Sequence, residues 1–181
     1  MFTFGNGLNF DNYAKGDMMV DVHIRHLESS DYPHIISVIN DWWGGRSMAD
    51  MLPKLFFIHF RQTSFVAEYG ENIVGFLVGF VSQTLSDEAY IHFVGVHPDF
   101  RMKGLGGELY ERFFDSTKKL GCNAVRCVTS PVNKGSISFH LRMGFSIERG
   151  TKNIDNIQVV ENYDGKGEDR VLFFKRLDAQ K

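Results

Sequence analysis

Residues 94–114 read VGVHPDFRMKGLGGELYERFF. Val94 and Val96 alternate with Gly95, and Pro98 closes the run, as at the end of a strand. After Gly104 the pattern changes. Leu105, Leu109, Phe113 and Leu120 recur at helical spacing, so one face of a helix is buried. Between the two elements stand Gly104, Gly106 and Gly107. Glycine at a helix entrance costs conformational entropy, so the missing side chains must serve a close approach. A helix N-terminus presents unpaired N–H groups and a partial positive charge. The glycines open that end to an anion, and Arg101 and Lys103 add positive charge. No Lys-Ser/Thr pair follows the glycines, which excludes the P-loop pattern. Position 109 is Leu, which excludes G-x-G-x-x-G. Taken alone, the glycines equally suit a helix start packed on a neighbour.

Working outward, VDVHIRHL from Val20 alternates like a half-buried strand. Ser29 or Ser30 is placed to cap a helix over DYPHIISVINDWW, with Pro33 in its first turn. WWGGRS breaks that helix, and MADMLPKLFFIHF reads as a second one with Pro53 near its start. SFVAEYG and NIVGFLVGFVS flank a hairpin turn at Gly70–Asn72. EAYIHFVGVHP is the next strand, and the helix after the glycines runs to about Leu120, with Gly121 as its stop. NAVRCVTS is a strand, and NKGSISFHLRMGF a helix capped by Asn133 and stopped at Gly144. SIERG and DRVLFFKRL are the last strands, joined by a long polar loop. The order predicts a single α/β domain over 20–178, a mixed sheet of about seven strands flanked by about four helices. Residues 1–19 read as an extension, loosely ordered or docked.

Composition narrows the class. The chain has 181 residues, 43% hydrophobic and 23% charged, which suits one soluble globular domain. A formal net charge of -2 gives no support for nucleic-acid binding. No apolar run reaches the roughly 20 residues of a membrane helix, so no membrane partner is expected. Cys122 and Cys127 form no disulfide framework and read as reduced thiols of a cytoplasmic protein, Cys127 in the core. The histidines show no zinc spacing, so no metal is expected.

VGVHPDFRMKGLGG resembles the acetyl-CoA-binding motif of the GNAT acetyltransferase superfamily, Val-x-Val-x-Pro-x-x-Arg-x-x-Gly-x-Gly/Ala. Val94, Val96, Pro98, Arg101, Gly104 and Gly106 take those places. A second family motif, an Asn-led helix ending in Gly-Phe, appears as Asn133, Ser136, Phe139 and Met143-Gly144-Phe145. IRHLESSDYPHIISVI from Ile24 is similar to the family's first strand and helix. The resemblance implies an N-acetyltransferase with acetyl-CoA as donor. Backbone N–H groups from Met102, Lys103, Gly104, Leu105, Gly106 and Gly107 would hold the pyrophosphate. Val94-Gly95-Val96 would pair with the pantetheine arm, and Asn133 would touch the same arm. The Val94 or Val96 N–H would serve as oxyanion donor.

The resemblance breaks at one point. Many members carry Tyr after the residue matching Phe139, and here that residue is His140. Two readings stand: His140 replaces the acid or water protonates the thiolate, and His140 is a helix-surface histidine. For the base, Tyr90 and His92 project to one face of their strand unless a bulge intervenes. On the acceptor side the family uses the first two helices and the loop between the last strands. Trp42 or Trp43 would wall the pocket and Arg46 would recognise charge, unless both tryptophans anchor the helix to the core. The expected acceptor is a small primary amine. The alternative is a non-catalytic acyl-CoA-binding regulatory module. A homodimer is left open.

Overall fold

In the computed structural model, residues 21–177 are described. The expected extension 1–19 lies outside them, as do the outermost residues of the expected 20–178 domain. The strands are β1 (Val22–His26), β2 (Phe65–Tyr69), β3 (Asn72–Val81), β4 (Glu88–Val96), β5 (Ala124–Thr129), β6 (Ser146–Ile147), β7 (Lys152–Ile154), β8 (Ile157–Val159) and β9 (Val171–Arg176). The helices are α1 (Tyr32–Trp42), α2 (Leu55–His59), α3 (Leu105–Lys119) and α4 (Lys134–Arg142). A seven-stranded sheet runs β1-β2-β3-β4-β5-β9-β6, and β7 and β8 form a separate hairpin. Within the large sheet β4 and β5 are parallel and the other pairs antiparallel. A parallel pair needs a crossover connection, and α3 supplies it.

Two cores form, one on each face of the sheet. Leu105, Leu109, Tyr110 and Phe113 of α3 pack on Ala67, Leu77, Ile91 and Val125. Ile35, Ile39 and Trp42 of α1 and Phe57 of α2 pack on Val66, Phe76, Val78 and Phe93. Ile91 and Phe93, two residues apart, therefore face opposite cores. The cause is a bulge: Val78 pairs with Phe93 and Gly79 with Ile91, leaving His92 without a partner on β3. Gly79 is needed there, since a Cβ would meet the Phe113 ring at 2.4 Å and the Tyr90 carbonyl at 2.7 Å.

Three expectations change. The helix expected over MADMLPKLFFIHF splits into a 3-10 turn at Ala49–Met51 and the five-residue α2. Pro53 forces Leu52 out of the helical region, to φ -125 and ψ 70. Neither Ser29 nor Ser30 caps α1. They form a 3-10 turn, and Asp31 organises it by accepting the Glu28 N–H at 2.7 Å and a bidentate Arg25 at 2.8 and 2.9 Å. The long polar loop contains the β7–β8 hairpin. Asp155 and Asn156 both have positive φ, 51 and 63, the signature of a two-residue turn matched to strand twist.

Candidate active site

The parallel strands β4 and β5 pair only at Glu88–Ala124, Ala89–Val125 and Tyr90–Arg126. Beyond Tyr90 both strands continue apart, so the sheet forks. The His92 bulge lies just past the last pair and turns β4 away. Arg126 holds the fork closed at its base. Its Nε and Nη2 donate to Glu88 at 2.6 and 3.2 Å, and its Nη1 donates to Glu148 on the far side.

The backbone of β4 lines one wall of the fork. The His97 N–H donates to the Val74 carbonyl at 2.8 Å. By the alternation of an antiparallel ladder, Gly95 also turns toward β3, and Val94 and Val96 turn their N–H and C=O groups toward the gap. The Val96 carbonyl is occupied: Arg101 Nε donates to it at 3.0 Å, and Arg101 Nη2 donates to the Trp42 carbonyl. Arg101 thus braces β4 against the end of α1, whereas its sequence position suggested direct anion contact. Gly95 also has a packing reason, because a Cβ would lie 2.5 Å from Phe76 and 2.7 Å from Trp43.

The wall continues into the glycine loop. The first internal bond of α3 runs from the Glu108 N–H to the Gly104 carbonyl at 3.1 Å. The N–H groups of Met102, Gly104, Leu105, Gly106 and Gly107 carry no hydrogen bond among the described residues. Gly104 needs glycine for its φ of +92. Among the described residues nothing crowds Gly106 or Gly107. A Cβ at Gly106 would come no closer than 3.6 Å, to the Phe139 ring, and at Gly107 no closer than 3.8 Å, to Met143 Sδ. Leu105 sends its side chain into the core, Lys103 Nζ sits 5.3 Å over the Phe100 ring, and Met102 is 95% exposed with φ 59. Asn133 caps α4 by accepting the Ser136 N–H at 3.2 Å.

The titratable candidates part company. His140 is 4% exposed, which corrects the helix-surface reading. Its Nδ1 donates to the Ser136 carbonyl at 2.8 Å, so its Nε2 accepts, and the Tyr110 hydroxyl donates to it at 2.8 Å. The ring stacks on Phe173 at 4.6 Å. Burial lowers the pKa of His140, so it is a neutral ring with no donor left over. Helical spacing alone does not single out Tyr110, which reads as one more apolar position on the buried face of α3. His92 is half-buried. Its Nε2 donates to the Met51 carbonyl at 2.8 Å, which leaves the lone pair on Nδ1. Burial also lowers its pKa, partly offset by that carbonyl. Burial, and next to it Tyr163, pushes the Tyr90 phenol far up, so Tyr90 keeps its proton at neutral pH.

The comparisons with known proteins meet this geometry. Residues 23–145 match the model of the acetyltransferase (GNAT) family. The chain belongs to that family. It is 36% identical over 85 residues to a protein described as an uncharacterised N-acetyltransferase of Methanocaldococcus jannaschii, covering 45% of this chain and 38% of that one. It is 32% identical over 79 residues to an L-2,4-diaminobutyric acid acetyltransferase of Nocardia farcinica, covering 44% and 41%. The chain thus spans about two fifths of the length of these curated relatives. The fold matches the diaminobutyrate acetyltransferase of Paenibacillus lautus, solved with its substrate and coenzyme A. That match has a TM-score of 0.65 and 18% identity and covers 88% of this chain and 97% of the other.

In this GNAT chain the residues expected on the acceptor side, Trp42, Trp43 and Arg46, lie at and just after the end of α1. Trp42 is core, 5% exposed, with its ring 6.0 Å from Phe76 and edge-on to His97 at 5.5 Å. Trp43 is half-buried and lies edge-on to Phe93 at 5.3 Å. Arg46 is exposed, and its Nε donates to the Trp43 carbonyl at 3.3 Å, closing the end of α1. Asn40, not singled out in the sequence, shapes this loop: its Oδ1 accepts the N–H groups of Met48 and Ala49 at 2.7 and 3.1 Å. Among the described residues no group of three or more His, Cys, Asp or Glu side chains is arranged to hold a metal. No described helix is long and apolar enough to cross a membrane.

Proposed function

We propose that the chain is an N-acetyltransferase that moves the acetyl group of acetyl-CoA to a small primary amine in a ternary complex. The observation that carries this is the fork. Past its last pair with β5 the β4 backbone leads toward N–H groups at the start of α3 that carry no hydrogen bond among the described residues, where no described residue crowds Gly106 or Gly107. Such a wall fits a long polar arm ending in a pyrophosphate. The groups that would hold it are the Val94 backbone and the Val96 N–H for the arm, with Gly95 turned to β3, and Met102 to Gly107 for the pyrophosphate, with Asn133, Ser136 and Phe139 on the facing helix. Bound there, acetyl-CoA supplies an activated thioester carbonyl.

The remaining chemistry belongs to the chain. His92, neutral and carrying its lone pair on Nδ1, takes the proton of the incoming ammonium. The Val94 N–H stabilises negative charge developing on the carbonyl oxygen. Tyr90 stays protonated and is no base. Neutral His140 has its only N–H on the Ser136 carbonyl, so the departing thiolate takes its proton from water. The test is an amine panel with acetyl-CoA, following thiol release, beside calorimetry with coenzyme A. Amine-dependent thiol release supports the proposal. Coenzyme A binding without transfer to any amine would instead support a non-catalytic acyl-CoA-binding module.

A further inference from the structure

Half-buried rings collect around His92. Phe56 of α2 stacks on the His92 ring with centroids 4.3 Å apart and planes 15° apart. Phe56 also meets Phe60 at 5.3 Å and Phe80 of β3 at 6.4 Å. Phe80 meets Phe60 at 5.2 Å and Tyr90 at 5.6 Å. All five residues are only partly buried. Phe57 anchors α2, fully buried and edge-on to Tyr32 at 5.1 Å, whereas Phe56 packs on the same core only partly buried. A five-residue helix therefore carries one aromatic for the core and another, Phe56, laid on His92.

Charge on this face points the same way. Arg126 is held by Glu88 and Glu148. Arg170, which acts electrostatically on Tyr90 together with Asp164, is paired to Asp164 at 2.6 Å and to Glu168 at 3.0 Å. Both arginines already have carboxylate partners, so neither is placed to receive a substrate carboxylate without losing one. The ring faces, in contrast, attract an ammonium and shed water from an apolar body. Desolvation that lowers the pKa of His92 also lowers that of an ammonium beside it, which eases loss of its proton.

We propose that the acceptor is a primary amine carried on an aromatic or bulky apolar body without a carboxylate. Its body lies against Phe56, Phe80 and Tyr90, and its nitrogen lies at His92 Nδ1. This rests on the acetyl-transfer reading above. The ammonium gives one proton to His92. Its lone pair forms the N–C bond as the thioester C–S bond breaks. The second nitrogen proton goes to solvent, and the thiolate is protonated by water, giving the amide and the free thiol.

The test compares phenethylamine with L-2,4-diaminobutyrate at saturating acetyl-CoA, using the full chain. The expected kcat/KM is higher for phenethylamine by about tenfold or more. Phe56→Ala and Phe80→Ala raise the phenethylamine KM by about tenfold and leave the acetyl-CoA KM within about twofold. Phe56→Leu and Phe80→Leu keep apolar volume without a ring face, and they too raise the amine KM, so a folding defect in the alanine forms does not decide the result. Equal or better use of diaminobutyrate overturns the inference and leaves acetyl transfer standing. So does an unchanged phenethylamine KM in the leucine forms. Transfer to no amine, with coenzyme A still bound, overturns the acetyl-transfer reading and this inference with it.

Discussion

His140 and His92 are the same residue type put to opposite uses by their partners. His140 is locked between the Ser136 carbonyl and the Tyr110 hydroxyl, inside the core of α3 and α4. Removing one partner strands a buried polar group, which costs about 1–3 kcal/mol. His140→Leu and Tyr110→Phe should each destabilise, and the double variant should lose clearly less than their sum. Urea unfolding of all three measures this, and simple additivity would count against a coupled pair. His140→Gln should keep kcat within about threefold, and a loss of about a hundredfold would restore the acid role. His92 has its lone pair on Nδ1 and a pKa below the ordinary 6.5. Activity should therefore hold through neutral pH and fall as acid protonates Nδ1 below about pH 6.5. The acidic limb of kcat/KM should vanish in His92→Ala; its survival there removes His92 as the base.

At the scale of elements, the glycine loop separates stability from binding. Gly104 is fixed by its backbone, with φ +92, so Gly104→Ala should cost about 1–2 kcal/mol of stability. Among the described residues nothing crowds Gly107, whose Cβ would sit 3.8 Å from a flexible methionine. Gly107→Val should leave Tm nearly unchanged while raising the acetyl-CoA KM by about tenfold or more. Thermal melts beside initial rates show the split, and a large drop in Tm with an intact KM would reverse the assignment. Asn133→Ala removes the α4 cap and should cost about 1 kcal/mol in urea unfolding. These elements were legible in the sequence because caps, stops and glycine clusters are local signals. The short α2 was not, since a Pro53 compatible with a first turn sat where the chain had not yet become helical. The β7–β8 hairpin was hidden by its polar surroundings, although Asp155-Asn156 between isoleucines is a turn signal.

Across the whole molecule, three histidines, His92, His97 and His140, have pKa values lowered chiefly by burial. In the unfolded chain they bind protons near 6.5, whereas folded they stay neutral to lower pH. The unfolded state therefore gains protons first as pH falls. Stability should be fully present above about pH 6.5 and decline below it. A series of urea midpoints at constant salt checks the sign, and a midpoint that rises on acidification below pH 6.5 would refute it. The fork is also a property of the whole sheet. It needs the bulge on β4, the crossover through α3 and the Arg126 clasp at once.

The sequence by itself determined the element order, the glycine loop, the Asn133 cap and the family to which these belong. Each is written in neighbouring residues, where backbone conformation and helix spacing follow from side chains a few positions apart. Only the tertiary structure decided the roles of the polar side chains. Trp42 went to the core and Trp43 to the β4 face, Arg101 to two carbonyls of the chain, and His140 to Tyr110. Those outcomes depend on which atoms meet across distant segments. Burial and hydrogen-bond satisfaction are set there, and the spacing of residues along one strand or helix does not encode them.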